Sequence, residues 1–546
     1  MRTTTPTAEQ HTDVLVVGGG VGGIAAALAA CEGGARVVVV EPYGWIGGQL
    51  TSQAVPPDEH PWIETHGSTA SYRRFRQAVR DHYRTWYPLA SDGAARPLNP
   101  GNGWVSPLCH EPRVALAVLQ AMIAPWRAAG RLTVHTRAQV ERAHTDGDTV
   151  TALTVRLADG TLRHLAASLV LEASETGELL ALAGIEHRTG TESQAQTGEP
   201  SAPDRPAPLN MQAATVCFAL DHVDGDHTVD RPADYDHWRT RTAPGWPGPL
   251  FSWTYPDPRT GRPVTGRFTP NPRSTATSME EGLIAPELWT YRRILDRRAF
   301  RPGLFPSDVT LVNWPMNDYL DGPLFDVPDA ARHVRRAREA SQAFLYWLQT
   351  EAPRPDGGTG FPGLRLRPDV TGTADGFAQA PYIREARRLV AVTTPTEQDL
   401  SVAVRGAAGA VHYPDTVGTG HYRIDLHPTT GGDGYLDVAA HPFEIPLGAL
   451  LPERVTNVIA AGKAVGTTHI TNGCYRVHPA EWSIGEAAGA LAAYCLDRRT
   501  SPHGVRASAK LLEDFQSELA GRGVDLRWPT TMATAPQPAG GDALPS

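Results

Sequence analysis

Six consecutive residues, Gly18-Gly19-Gly20-Val21-Gly22-Gly23, meet the pattern G-x-G-x-x-G between an apolar run at 14–17 and a small-residue apolar run at 21–30. That context reads as strand, tight turn and helix, where the pattern has a physical purpose. Gly18 permits the turn, Gly20 removes a side chain that would block a pyrophosphate, and Gly23 lets helix and strand approach. The helix start offers unpaired N–H groups to the anion. A second strand of four valines, 37–40, ends in Glu41, placed to accept hydrogen bonds from ribose hydroxyls. The unit therefore binds a dinucleotide, with NAD and FAD both open. A second match to the pattern, Gly358-Thr359-Gly360-Phe361-Pro362-Gly363, follows a Pro- and Gly-rich stretch and carries a proline where the helix would begin, so it reads as a loop.

Other segments favour FAD. Gly47-Gly48-Gln49-Leu50 resembles the double-glycine segment that passes the flavin pyrophosphate and ribityl chain in FAD enzymes of the glutathione-reductase-like fold. Leu169-Val170-Leu171-Glu172-Ala173-Ser174 resembles their second fingerprint, with Ser174 and Glu175 departing from its usual threonine and glycine. Ala460-Ala461-Gly462-Lys463, followed by Ile484-Gly485-Glu486-Ala487-Ala488-Gly489, resembles the C-terminal segment that closes over ribityl and isoalloxazine. From about residue 13 to 497 the chain is similar to a bacterial group of FAD-dependent oxidoreductases. SWTYPDPRTG (252–261), TLVNWPMNDY (310–319), PYIREARR (381–388) and TTHITNGCYRVHPAEW (467–482) carry that similarity. The resemblance implies non-covalent FAD held by Gly18, Gly20, Val21, Gly22, Gly23, Glu41, Pro42, Gly47, Gly48, Gln49, Leu50, Val140, Ala173, Ser174, Gly462 and Gly485. Covalent attachment would need a histidine or cysteine near the ring; residues 47–52 have neither, and Cys474 is a remote candidate.

Flavin dehydrogenation needs a group to take the O–H or N–H proton and positive charge near the reduced ring. The resemblance sets His469 and Arg476 beside the isoalloxazine, His469 as a base suited to neutral pH and Arg476 as stabiliser of the flavin or of a substrate carboxylate. His469 could equally only hold its loop. Tyr382, Arg384, Glu385 and Arg387 form a dense polar cluster in which Arg384 is the candidate anchor for an anionic substrate group; an ion-paired surface strand would look the same. Asp425 and His427 alternate with apolar residues, as a carboxylate-oriented base or, by the pattern alone, as the solvent face of a strand.

Several chemistry-bearing residues have blander readings. The tryptophans at 238, 246, 253, 289, 314 and 347 could stack on a sugar or aromatic substrate, but isolated aromatics are more often core. His469, Cys474 and His478 lack a fourth ligand in zinc spacing, so no metal is expected. Asp221, Asp224 and Asp226 read as a polar turn rather than half a calcium loop. The arginines at 73, 74, 76, 80 and 84 read as the solvated face of a helix.

The elements that must position these groups follow from periodicity. Helical spacing runs over 72–83, 113–129, 330–350 and 479–496; strand character marks 132–134, 445–450 and 455–460, and an antiparallel excursion fills 137–171. The fold class is α/β, a Rossmann-like FAD-binding three-layer domain with an inserted α+β substrate domain. The expected division is 10–190 with 442–500 for FAD, 191–441 for the insert, and 501–546 for a C-terminal helix and a disordered tail.

The 546 residues carry a net charge of −9, 41% hydrophobic and 20% charged residues. That composition excludes global disorder and a basic field for nucleic acid. Five scattered cysteines argue against a disulfide framework. A reducing cytoplasm, no membrane span, a small-molecule substrate and a monomer or homodimer are expected. The reading is an oxidoreductase that abstracts a hydride from a C–O–H or C–N–H centre, with O₂ or an external carrier as final acceptor. The alternatives are a monooxygenase using NAD(P)H and a carbohydrate-binding or -processing protein with non-redox FAD.

Overall fold

A computed structural model describes residues 9–90, 97–272, 279–280, 283–284 and 287–533. The chain opens with β1 (Glu9–Val17), α1 (Val21–Glu32) and β2 (Val37–Glu41). It continues through α2 (Ala70–Trp86), α3 (Pro112–Ala128) and β3 (Leu132–Thr136). A meander of β4 (Gln139–Asp146), β5 (Thr149–Arg156) and β6 (Leu162–Glu172) follows. The parallel order is β3-β2-β1-β6. Residues alternate between two cores: Val37 and Val39 join the larger one, Val38 and Val40 the one on the opposite face. Both faces are covered, which is why four valines run without a polar break.

β1 begins at Glu9, ahead of the apolar run, because the 11-residue β6 is long enough to pair with it from Glu9↔His164 to Val17↔Glu172. The other edge of β6 serves two partners, β5 antiparallel along its first half and the late strand Val458–Ala460 in parallel along its end. The C-terminal part of the chain thus returns to the first sheet.

The middle of the chain forms a second, antiparallel sheet of β7 (Phe218–His222), β8 (Arg293–Leu295), β9 (Val309–Val312) and β10 (Leu364–Leu366), in the order β8-β9-β7-β10. Its period-2 pattern splits cleanly. Cys217, Ala219, Val309 and Leu311 face the large core, while Phe218, Leu220 and Val312 face a second core built with α4 (Ala330–Thr350). Trp238, Trp253, Trp289, Trp314 and Trp347 are buried in that second core, and Trp246 packs on its rim, so they are not an exposed stacking platform.

Two expectations need correction. Residues 447–450 form a 3-10 turn rather than strand, because the backbone N–H groups of Leu447 and Gly448 donate to Asp415 at 2.8 and 3.0 Å instead of to a ladder. Arg76 and Arg80 on α2 are buried, not solvated. Arg76 Nε donates to Glu59 at 2.8 Å and Nη1 to Glu64 at 2.6 Å, so an acidic loop drew that helix face inward. After α5 (His469–Tyr475) and α6 (His478–Arg498), two helices, Pro502–Ala507 and Ala509–Gly521, lead to a packed segment ending in the buried Trp528 and the turn Thr530–Ala533. The rest of the expected tail, 534–546, lies outside the described residues. Among the described residues no helix is long and apolar enough to cross a membrane.

Candidate functional site

The glycines do more than spare a ligand. Gly18 has φ +94°, in the left-handed region, and a Cβ there would overlap the Ala173 carbonyl. A Cβ on Gly22 would overlap the Ala461 carbonyl, one on Gly23 the Gly18 carbonyl, and one on Gly485 the Gly22 carbonyl. Four segments, the loop, the end of β6, the end of strand Val458–Ala460 and α6, therefore meet at backbone distance. Gly47, at φ +104°, donates its N–H to Gly19 O at 2.7 Å and brings the second glycine segment onto the first. Leu50 is buried behind it, as are Val21 on α1 and Val140 on β4, whereas Pro42 is exposed beside Glu41.

Glu41 accepts hydrogen bonds from Gly19 N at 2.7 Å and Tyr43 N at 2.9 Å, and burial pushes its carboxyl up to about 8. A Cβ on Gly20 would meet Glu175 Oε1 at 2.6 Å, so the Glu175 carboxylate rests in the glycine cradle, paired with Lys463. Gln49 donates through Nε2 to the Arg476 carbonyl at 3.0 Å and to Glu481. Glu481 in turn accepts from Gly22 N at 3.4 Å, and burial pushes it up. Ser174 N donates to Glu172 at 2.6 Å, and the Ser174 hydroxyl accepts from Glu178 N at 2.7 Å, which turns the chain at the departure from the usual fingerprint.

The candidate reaction residues form one connected network. Arg476 Nη1 donates to the Tyr382 hydroxyl at 2.7 Å, and the Arg384 guanidinium lies 4.9 Å from the Tyr382 ring centre. Arg384 pairs with Asp318 at 3.1 Å, both fully buried, and donates to Ala213 O and Thr215 Oγ1 at 2.7 and 2.9 Å. Asp318 Oδ2 lies 2.6 Å from His427 Nδ1. Burial pushes Asp318 up, but Arg384 and His427 outweigh it and hold it below its ordinary value. Burial, and then Arg384, push His427 down. His427 is thus half-buried and paired with the buried Asp318, while the face it shares with Arg423 and Asp425 stays partly open.

His469 begins α5 behind its N-cap Thr468, whose hydroxyl accepts from Thr471 N at 3.0 Å. Its Nδ1 faces both Glu385 oxygens at 2.9 and 3.0 Å, so its polar partner is a side-chain carboxylate. Burial pushes Glu385 up, but His469 and Arg388 bring it below its ordinary value. Gln212 joins the two histidine–carboxylate dyads: its N–H donates to Glu385 at 3.2 Å and its side-chain oxygen accepts from His427 N at 3.4 Å. Arg387 points elsewhere, to Asp326 and the Thr176 carbonyl.

Sequence reasoning missed Gln212, Asp318, Glu481 and the buried Arg292. Asp318 and Glu481 carried a signal, inside the TLVNWPMNDY and TTHITNGCYRVHPAEW stretches; Gln212 and Arg292 carried none. His478 Nδ1 accepts from Asp58 N at 3.1 Å, the Cys474 thiol contacts Thr471 O at 3.2 Å, and burial pushes that thiol up. Asp221 is buried against Arg365 and Arg367. Among the described residues no cluster of three His, Cys, Asp or Glu could hold a metal.

A dinucleotide with a flavin fits this donor set. The buried atoms without hydrogen-bond partners among the described residues include Gln49 Oε1, both amide atoms of Gln53, Glu175 Oε1, Arg476 Nε and His478 Nε2. Gln49 lies at the glycine loop and Arg476 at the Tyr382 contact, so a polar group that both donates and accepts would satisfy the Gln49, Gln53, Arg476 and His478 atoms, while Glu175 has Lys463 as its counter-charge.

A family model described as FAD dependent oxidoreductase matches residues 13–519. No curated protein matches the chain. Among solved structures, a myxobacterial chondrochloren halogenase shares 13% identity over 41% of this chain and 46% of its own, less than half its length, with TM-score 0.22. A geranylgeranyl bacteriochlorophyll reductase-like protein from Thermoplasma acidophilum shares 10% over 95% and 85%, TM-score 0.33. The p-nitrophenol 4-monooxygenase of Pseudomonas putida shares 15% over 97% and 89%, TM-score 0.32. Likenesses this low say nothing of what the chain acts on.

Proposed function

The chain belongs to the FAD-dependent oxidoreductase family and its cofactor is FAD; within that family we propose that it removes a hydride and a proton from a C–O–H or C–N–H centre of a small polar substrate. One observation supports this reading above others. Two histidine–carboxylate dyads, the buried His469–Glu385 and the partly buried His427–Asp318, are joined through Gln212 and continue through Arg384, Tyr382 and Arg476 to Gln49 at the glycine loop.

Bound FAD supplies the two-electron acceptor. Glu385 holds the His469 ring through Nδ1 and leaves Nε2 to take the heteroatom proton, while its charge stabilises the imidazolium that forms. The C–H bond gives up its electron pair as hydride, the heteroatom loses its proton, and a carbonyl or imine remains. Asp318 holds His427 in the same way, as a second proton acceptor linked through Gln212. Arg476, beside Tyr382, adds positive charge where negative charge develops. In this reading residues 10–190 with 442–500 hold FAD and 191–441 cover the substrate, with O₂ or an external carrier taking the electrons onward.

The test is the visible spectrum of the purified protein, followed anaerobically while amines, alcohols, amino acids, hydroxy acids and sugars are added. Bleaching of the flavin bands by one class without NAD(P)H supports the reading. Bleaching only by NAD(P)H, accelerated by a bound substrate, replaces it with the monooxygenase alternative.

A further inference from the structure

Arg292 is a buried guanidinium whose hydrogen-bonding capacity the protein leaves partly unused. It follows the turn Leu288–Tyr291 and precedes β8. Its side chain is nine-tenths buried, and its ion pair is Nη2 to Asp58 Oδ1 at 3.3 Å. The Tyr291 ring lies 5.0 Å from its Cζ, with the Tyr291 phenol also beside it. Nε and Nη1 have no hydrogen-bond partner among the described residues. A buried donor left unmade is costly and calls for an acceptor from outside the chain.

Arg292 also belongs to the site rather than to a separate part of the core. Asp58, Tyr382 and Tyr422 are electrostatic neighbours of both Arg292 and Arg476, and Asp58 is held by His478 through its backbone N–H at 3.1 Å. The unpartnered donors here are Arg292 Nε and Nη1, Arg476 Nε and Gln53 Nε2; they lie beside the unpartnered acceptors Asp58 Oδ1 and Gln53 Oε1, and Arg292 is the arginine among them with two nitrogens unused. Arg384, the anchor expected from sequence, has both terminal nitrogens committed to Ala213, Thr215 and Asp318 and only Nε unused, against Nε and Nη1 in Arg292.

We propose that Arg292 binds a carboxylate of the substrate, so that the molecules oxidised are small organic acids bearing the reactive C–O–H or C–N–H centre. The inference rests on the reading given under Proposed function. A carboxylate supplies two acceptor oxygens to a guanidinium, in a geometry that an amide or alcohol does not reproduce.

The experiment titrates the oxidised holoenzyme with acetate and benzoate, and with acetamide and benzamide as neutral isosteres, reading the perturbation of the flavin spectrum. The acids are expected to perturb the spectrum and the amides not. Arg292→Gln weakens acid binding by about 100-fold while FAD content is retained. Arg292→Lys keeps the charge but not the planar fork and weakens it by about tenfold, which covers the case in which the Gln variant does not fold. Equal perturbation by acids and amides, unchanged acid binding in both variants, or loss of FAD from both overturns the proposal, the last because the donors would then serve the cofactor. Acid binding is read without turnover, so it fails separately from the reading of the reaction, which falls when no donor bleaches the flavin.

Discussion

Gln49 Nε2 donates to the Arg476 carbonyl at 3.0 Å across 427 positions of sequence. This bond links the segment after the glycine loop to the turn between α5 and α6. The glycine loop and the Arg476–Tyr382 network are consequently one unit, formed only when the C-terminal helix docks on the N-terminal sheet.

That docking depends on missing side chains. In Gly485→Ala the new methyl group would overlap the Gly22 carbonyl, and α6 must move off α1. A loss of at least about 1–3 kcal/mol is expected from such overpacking, together with loss of bound FAD. Gly521→Ala, where no atom lies within 4 Å of the added carbon, serves as the control. Thermal unfolding and FAD content on purification check both.

Glu41 makes the flavin-free protein sensitive to pH. Burial raises its carboxyl from 4.5 to about 8, so the folded protein holds a proton that the unfolded chain releases. Its stabilising contribution is full below 4.5 and is lost as pH rises through about 8. Glu172, raised by burial to about 7, acts in the same direction. Urea unfolding of flavin-free protein across that range should show stability falling with pH, and Glu41→Gln should flatten the slope. An unchanged slope would mean that Glu41 does not carry it.

Asp318 neutralises Arg384 at a place where both side chains are buried. Asp318→Asn leaves the guanidinium buried and unpaired, which costs about 3–5 kcal/mol. Denaturant unfolding measures this, and a loss below about 1 kcal/mol, the level of an exposed pair, would show the site to be wet.

His469→Gln is expected to lower the rate of anaerobic flavin reduction by about 10²–10⁴-fold, the usual weight of a positioned base. FAD should be retained, and Glu385→Gln should show a smaller loss with a shifted pH profile. Stopped-flow reduction across pH separates the two roles. Loss of FAD in place of rate would assign the dyad to cofactor binding.

Legibility followed the range of the interactions. The strand–turn–helix at Gly18–Gly23 and the valines before Glu41 were readable because backbone torsion and two-sided burial act within a few residues. Arg76 and Arg80 were misread because the helix pattern marks charged residues as exposed, and only the acidic loop at Glu59 and Glu64 makes their burial favourable. The pattern around His427 leaves base and solvent face both open for a related reason: its partner Asp318 lies 109 positions away. Arg292 had no signal at all within its run of neighbours Tyr291 and Arg293.

By itself the sequence determined the dinucleotide unit, the α/β character and the return of the last helix, since periodicity, glycine and valine act through local geometry and burial. Tertiary structure alone decided which charged side chains are paired, which are unsatisfied, and which dyads meet. Those properties depend on desolvation and on partners brought from distant segments, and neither leaves a local pattern in the chain.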